Sequence, residues 1–253
     1  MDSEMKFRFV VPPAPAGPLI ELSADEAERM FLAALDANED RKQALWNLAQ
    51  FYKIHGQHEK ALERLRELIA LLPDPESKAE CIFTMGQAME GAGDFEAAVK
   101  YYRAATTLEP ASPCIWYFIH NNLGFSLNTL GRFEEGELYC RRAIAIDPNR
   151  PNGHKNLGIA LASRGNYQDA ARSFITATQV NAADARSLRL LEKLAREHPE
   201  LEIDFKDEIE NCQLAVKVAA EKLQASQPKV LRGWRKHIAL WWIKARKLFT
   251  SKK

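Results

Sequence analysis

NLGFSLNTLGRFEEGELYCRRAIAIDP, residues 122–148, reads as two short helices joined by a tight turn. Leu123, Ser126, Leu127 and Leu130 recur at spacings of three and four, which places them on one helical face. Gly131 ends that helix, because glycine takes a left-handed backbone at little cost. Phe133 opens a second helix with Gly136, Cys140 and Ala143 as its packing face, and Asp147-Pro148 stops it, since proline disfavours helix in the residue before it. Gly124 and Gly136 are poor residues for an isolated helix. They make sense where two helices must approach closely. A hairpin of this size cannot bury its own apolar face, so it needs neighbours.

The neighbours are copies of itself. A small residue follows an apolar one near the middle of each first helix, at Ala49, Gly86, Gly124 and Gly158, with intervals of 37, 38 and 34 residues. Leu48, Met85, Leu123 and Leu157 precede these anchors, and Tyr52, Met89, Leu127 and Leu161 follow three residues later. Turn glycines recur as Gly56, Gly93, Gly131 and Gly165. The second helices repeat small residues as Ala61, Ala98, Gly136 and Ala170, and packing residues as Leu65, Tyr102, Cys140 and Phe174. Pro73, Pro110 and Pro148 close three copies, and Ala182 stands in the fourth. Leu68 replaces the alanine found at Ala105, Ala143 and Ala177, and the loops around Pro73–Ser77 and Ala111–Cys114 lengthen the first two intervals.

This pattern, over residues 42–184, resembles the tetratricopeptide repeat family. The resemblance implies an all-α fold: a right-handed superhelical solenoid of helix-turn-helix repeats whose first helices line a concave, peptide-holding groove. It places the lining residues around each anchor. Two positions before it stand Asn47, Thr84, Asn122 and Asn156; three before, Trp46, Phe83, Asn121 and Lys155; one after, Gln50, Gln87, Phe125 and Ile159. A side-chain amide offers one acceptor and two donors, so an asparagine ladder can hold a peptide backbone whatever its sequence. Asparagine as a plain feature of repeat consensus sequences stands beside that reading. The groove is aromatic at its N-terminal half and becomes polar and basic further on.

Residues 1–22 form a Pro-rich arm, expected to be extended and flexible. Ser23 and Glu26 make a capping box for an N-terminal helix at 24–37, within a segment 23–41 that precedes the repeats. Residues 185–227 read as a degenerate fifth unit and a cap. Its first helix spans 185–198, with Pro199 where the turn glycine would stand. One longer helix over 201–226 follows, with Ile203, Phe205, Ile209, Cys212, Val216 and Leu223 as its apolar side and a water-compatible face opposite. On the fifth unit Arg186, Arg189, Lys193 and Arg196 share a face opposite Leu188, Leu191 and Leu194. If that face continues the groove, Lys155, Asn156, Arg186, Arg189 and Lys193 make a cationic end suited to an acidic segment of a protein or peptide partner. A solvated helix face is the other reading. Trp46 and Phe83 stand where the carboxylate clamps of chaperone-binding relatives carry polar groups.

Residues 228–253 are different in kind. They carry nine Lys and Arg and no acid, so a formal net charge of +1 for the chain leaves about −8 for residues 1–228. Leu231, Trp234, Ile238, Trp241, Trp242, Ala245, Leu248 and Phe249 fall along one side of a helix; Arg232, Arg235, Lys236, Lys244, Arg246 and Lys247 supply its charge. Such a basic, Trp-bearing amphipathic helix suits an anionic membrane surface. Docking onto the acidic body or onto a partner is the rival reading. Nucleic acid fits less well, because charge alone is unspecific and no RNA-binding fold is present.

Cys81, Cys114, Cys140 and Cys212 are spread without a CxxC pair, which fits reduced thiols in a cytoplasmic chain, peripheral to a membrane if the tail meets lipid. The N-terminal residues do not resemble a signal peptide, and no apolar run approaches the ~20 residues of a membrane span. No catalytic motif, phosphate loop or zinc spacing occurs. His55 and His58 read as turn-exposed histidines rather than metal ligands, and His120 and His154, four residues before successive anchors, as packing residues. No cofactor is expected. The sequence describes a non-catalytic interaction scaffold, with self-association through repeats and tail as the alternative.

Overall fold

The computed structural model describes residues 7–10 and 19–22 as backbone, and residues 24–37 and 40–226 in full. Two short antiparallel strands, β1 (Phe7–Val10) and β2 (Leu19–Leu22), lie within the N-terminal arm, with Phe7 opposite Leu22 and Val10 opposite Leu19. The arm is therefore paired where a flexible extended segment was expected: FRFV and LIEL are two runs rich in strand-forming residues. Every other described element is helical.

The first compact unit runs to Asn166. It holds α1 (Ala24–Ala37), then the hairpins α2 (Arg41–Ile54) with α3 (His58–Leu71), α4 (Pro75–Gly91) with α5 (Phe95–Thr106) and α6 (Pro113–Thr129) with α7 (Phe133–Ile146), and ends on α8 (Pro151–Ser163). Consecutive helices pack along the chain from α1 to α8. The turn glycines Gly56, Gly93, Gly131 and Gly165 all take positive φ, between 70° and 83°, which an L side chain adopts only with strain. Four of these helices, α2, α4, α5 and α6, start where a side-chain acceptor satisfies an orphan amide. Asp40, Asp74 and Asp94 accept from the amides of Gln43, Ser77 and Ala97, and Ser112 from that of Ile115. The longer loop before α6 is tied down by Glu76, whose carboxylate accepts from the amides of Ala111 (2.6 Å) and Ser112 (3.2 Å).

The repeated positions are core positions. Leu48, Met85, Leu123 and Leu157 are buried, as are Leu65, Tyr102 and Cys140 on the second helices. The anchor glycines answer to their neighbours. A Cβ on Gly124 would stand 2.6 Å from Cys140 Sγ and 3.1 Å from the Gly136 carbonyl; one on Gly136 would collide with Asn128 Oδ1, and one on Gly86 with the Tyr102 ring.

The second unit begins at Tyr167. It comprises α9 (Tyr167–Val180), α10 (Arg186–Glu197), α11 (Pro199–Asp204) and α12 (Lys206–Ser226). Helix α10 buries Leu188, Leu191 and Leu194 and leaves Arg186, Arg189, Lys193 and Arg196 exposed. The single helix expected over 201–226 is divided. Phe205 leaves helical geometry, so that its buried ring faces the Arg172 guanidinium at 5.5 Å, while its amide still donates to the Leu201 carbonyl. Ile203, expected on the apolar side, is 81% exposed as a result.

Candidate peptide-binding groove

Helices α2, α4, α6 and α8 present the residues around their anchors in the same register, and those residues touch from one repeat to the next. Lys53 on α2 donates to Gln87 Oε1 on α4 at 2.9 Å. Phe83 on α4 lies 6.3 Å from Phe118 on α6, ring centre to ring centre, and 5.6 Å from Tyr102. Asn156 on α8 donates to Asn121 Oδ1 on α6 at 3.1 Å. One contact thus joins each of these helices to the next within the first unit.

Its N-terminal part is open and aromatic. Half-buried Trp46 lines a cavity of about 390 Å³ with Asp40, Lys42, Gln43, Leu68, Leu72, Ser77 and Glu80. Asn47 accepts from Gln43 Nε2 at 2.8 Å, and Gln50 and Phe83 are half-exposed. Thr84 is buried and donates to the Glu80 carbonyl of its own helix, so it offers the groove little.

Further along, amides meet amides. Glu90 Oε2 accepts from the Tyr102 hydroxyl (2.7 Å), which accepts from Asn122 Nδ2 (3.4 Å). Asn122 Oδ1 accepts from Asn121 Nδ2 (3.0 Å), and Asn128 Nδ2 donates to the Asn156 carbonyl (2.8 Å). Asn121 and Asn156, at 6% and 3% exposure, are turned toward one another, and only Asn122 of the three is half-exposed. Asn156 Oδ1 is buried with no hydrogen-bond partner among the described groups. Burial raises the Glu90 carboxyl, with the Tyr102 hydroxyl opposing, and lowers the Lys53 ammonium. Phe125 meets Phe95 edge to face at 6.1 Å, Lys155 donates to Asn152 at 3.1 Å, and Ile159 is half-exposed.

Several groove residues were not anticipated. Phe118 stands six positions before its anchor, and Lys53, Glu90 and Asn128 stand four after theirs. These positions share the helical face of the anchor-adjacent ones, so the same register extended by one turn would have found them. Phe118 also carries the Arg150 guanidinium at 4.7 Å, and Arg150 is paired with Asp147 at 2.7 Å.

The cationic residues of the second unit are partly paired. Arg186 meets the Asp184 carboxylate through Nε at 2.8 and 2.9 Å, and Lys193 lies 3.8 Å from Glu197; Arg189 is exposed. Arg232, Trp234, Arg235, Lys236, Trp241, Trp242, Lys244, Arg246 and Lys247 lie outside the described residues.

Four of the described histidines make packing or hydrogen-bond contacts. His120 is stacked between Trp116 (5.0 Å) and Tyr139 (5.7 Å), and burial, helped by Arg142, pushes its pKa down to about 4. His154 bonds the Pro148 carbonyl at 2.8 Å. His55 and His58, expected to be exposed, are half-buried: the His55 ring lies 4.3 Å from that of Phe51, and His58 presses on Gly91. Among the described residues no three His, Cys, Asp or Glu cluster as metal ligands do, and no helix is long and apolar enough to cross a membrane.

Comparison with known proteins agrees with the geometry. Two tetratricopeptide repeat families match, over residues 40–108 and 83–151. The chain is a tetratricopeptide repeat protein. It is 31% identical over 108 residues to the Small glutamine-rich tetratricopeptide repeat-containing protein 2 of Mycosarcoma maydis, which covers 43% of this chain and 30% of that protein. It is 26% identical over 132 residues to the Photosystem I assembly protein Ycf3 of Rippkaea orientalis, covering 47% of this chain and 76% of that one. In fold it is similar to the crystal structure of PilW, a type IV pilus biogenesis factor, with a TM-score of 0.59 and 23% identity over 80% of this chain and 86% of that one. This repeat protein thus spans under a third of the first relative's length and most of the second's.

Proposed function

We propose that this repeat protein is a non-catalytic scaffold that holds an extended segment of a partner protein along α2, α4, α6 and α8. One observation carries the reading: side chains near the anchors touch from each of these helices to the next, with half-exposed rings and amides among them on α2, α4 and α6. Trp46, Phe83, Phe118 and Phe125 supply apolar contact, while Gln50, Gln87 and Asn122 can pair with a peptide backbone. The names of two similar proteins, one an assembly protein and one a biogenesis factor, fit a scaffold that brings other chains together. Arg186, Arg189 and Lys193, exposed on α10 of the second unit, favour acidic residues of a partner as a separate contact. The basic, Trp-bearing segment 229–253 adds contact with an anionic membrane surface, read by co-sedimentation with phosphatidylserine vesicles and lost in Trp241→Ser/Trp242→Ser. The groove is tested by screening an immobilised peptide array with the wild type and with Arg186→Glu/Arg189→Glu. The wild type selects peptides that combine apolar and acidic residues, and the variant loses the acidic preference. An unchanged preference removes the cationic end, and growth in mass by light scattering without peptide selection favours self-association instead.

A further inference from the structure

We infer that residues 229–249 fold back as a helix antiparallel to α12, and that the exposed apolar seam of α12 is their docking surface. The seam is Ile209, Cys212, Val216, Ala219 and Leu223, spaced three, four, three and four, as in a helix that meets a single partner helix. Its first two residues are buried, and Cys212 Sγ lies 4.0 Å from the Ile175 carbonyl of α9. The seam then outlasts the helices that cover it: Val216 and Ala219 are half-buried and Leu223 is 59% exposed. Beside its start a cavity of about 540 Å³ opens between Ile203, Ile209, Glu202, Lys206 and Glu210.

The occupant follows from length, spacing and charge. Gln227 and Pro228 are a loop of the length that joins antiparallel helices. Beyond them Leu231, Trp234, Ile238, Trp241, Ala245 and Leu248 repeat the same spacing of three and four. An antiparallel register about that loop sets Leu231 opposite Leu223, Ile238 opposite Val216 and Ala245 opposite Ile209. Of the charged residues near that end, Lys244 flanks the tail's seam and Glu208 flanks that of α12 within two positions of level, the arrangement in which an interhelical ion pair forms. Residues 229–249, if helical, match α12 in length, at about 31 Å each. Trp234 and Trp241, two of the three tail tryptophans that suit a membrane, are covered by this docking, so the docked tail and the lipid-bound tail exclude one another.

Amine-reactive cross-linking of the full-length chain, mixed with an isotope-labelled copy and without lipid, tests the docking. The register brings Lys217 level with Lys236 and Lys206 level with Lys247, and links between both pairs within one copy are expected. In Leu223→Asp, a change at an exposed position, the Lys217–Lys236 link falls and trypsin cuts after Arg232 and Arg235 about tenfold faster, because cleavage follows the undocked population. The inference is overturned by links that form only between copies, by links that persist unchanged in Leu223→Asp, or by a tail captured by phosphatidylserine vesicles with no links in their absence.

Discussion

The first hairpin, α2 with α3, and the third, α6 with α7, share a register and differ in what fills it. Where the third has Gly124 against Cys140, the first has Ala49 against Leu65. Four residues before the anchor the third has His120, stacked between two rings; the first has Leu45, fully buried. Ahead of the anchor the third has Asn121 and Asn122 joined to each other, while the first has Trp46 over an open cavity. Anchor positions fix how closely two backbones pass. The positions around them are free to become either a polar brace or a contact surface, and the two hairpins have taken different options.

The sharpest break between the hairpins is steric. Gly124→Ala drives a methyl into Cys140 Sγ and the Gly136 carbonyl, and neither can retreat far; a loss of about 3 kcal/mol is expected by chemical denaturation. The reciprocal change, Ala49→Gly, costs about 1 kcal/mol through backbone entropy. Equal losses would mean that the two anchors do the same job.

The next difference is one of charge. His120 has a folded pKa of about 4 against an ordinary value near 6.5. Between those values the unfolded chain binds more protons, so stability rises with pH. The contribution is fully present above pH 6.5 and is lost as pH falls through 4, by about 3 kcal/mol. Stability measured against pH for the wild type and His120→Phe checks this, since the variant should lack that component of the slope. Leu45 gives the first hairpin no such dependence.

A smaller contrast separates brace from surface. Asn121→Leu removes the partners of Asn122 Oδ1 and Asn156 Nδ2 and should cost about 1.5 kcal/mol, whereas Gln50→Leu, at a half-exposed position, should change stability by less than about 0.5 kcal/mol. The least difference is expected at the turns. Gly131→Ala and Gly56→Ala each force a methyl into positive φ and should lower stability by about 1 kcal/mol alike.

What was legible in the sequence was whatever the repeat dictates. Anchors, turn glycines and second-helix packing residues recur because every hairpin needs the same close approach, and each sits where its spacing implied. The direction of a groove side chain was less legible. Asn121 and Asn122 are adjacent in sequence, yet one is 6% exposed and the other half-exposed, because the path of α8 decides which can reach Asn156. Phe118 lies a further helical turn before its anchor than the repeated positions, where the repeat imposes no residue type. The kink at Phe205 has no glycine or proline at the bend; it follows from a ring reaching the core, which only the tertiary structure displays.

The central claim is that anchor positions hold the fold while the row of rings and amides on α4 and α6 holds the partner. The most direct measurement probes one immobilised peptide array with the wild type and with Phe83→Ser/Phe118→Ser, alongside thermal unfolding of both proteins. The account predicts that the wild type selects peptides with aromatic or aliphatic residues and that the variant loses this selection while keeping the cooperative unfolding of the fold. Identical selection by the two proteins, or no selection by the wild type, would contradict it.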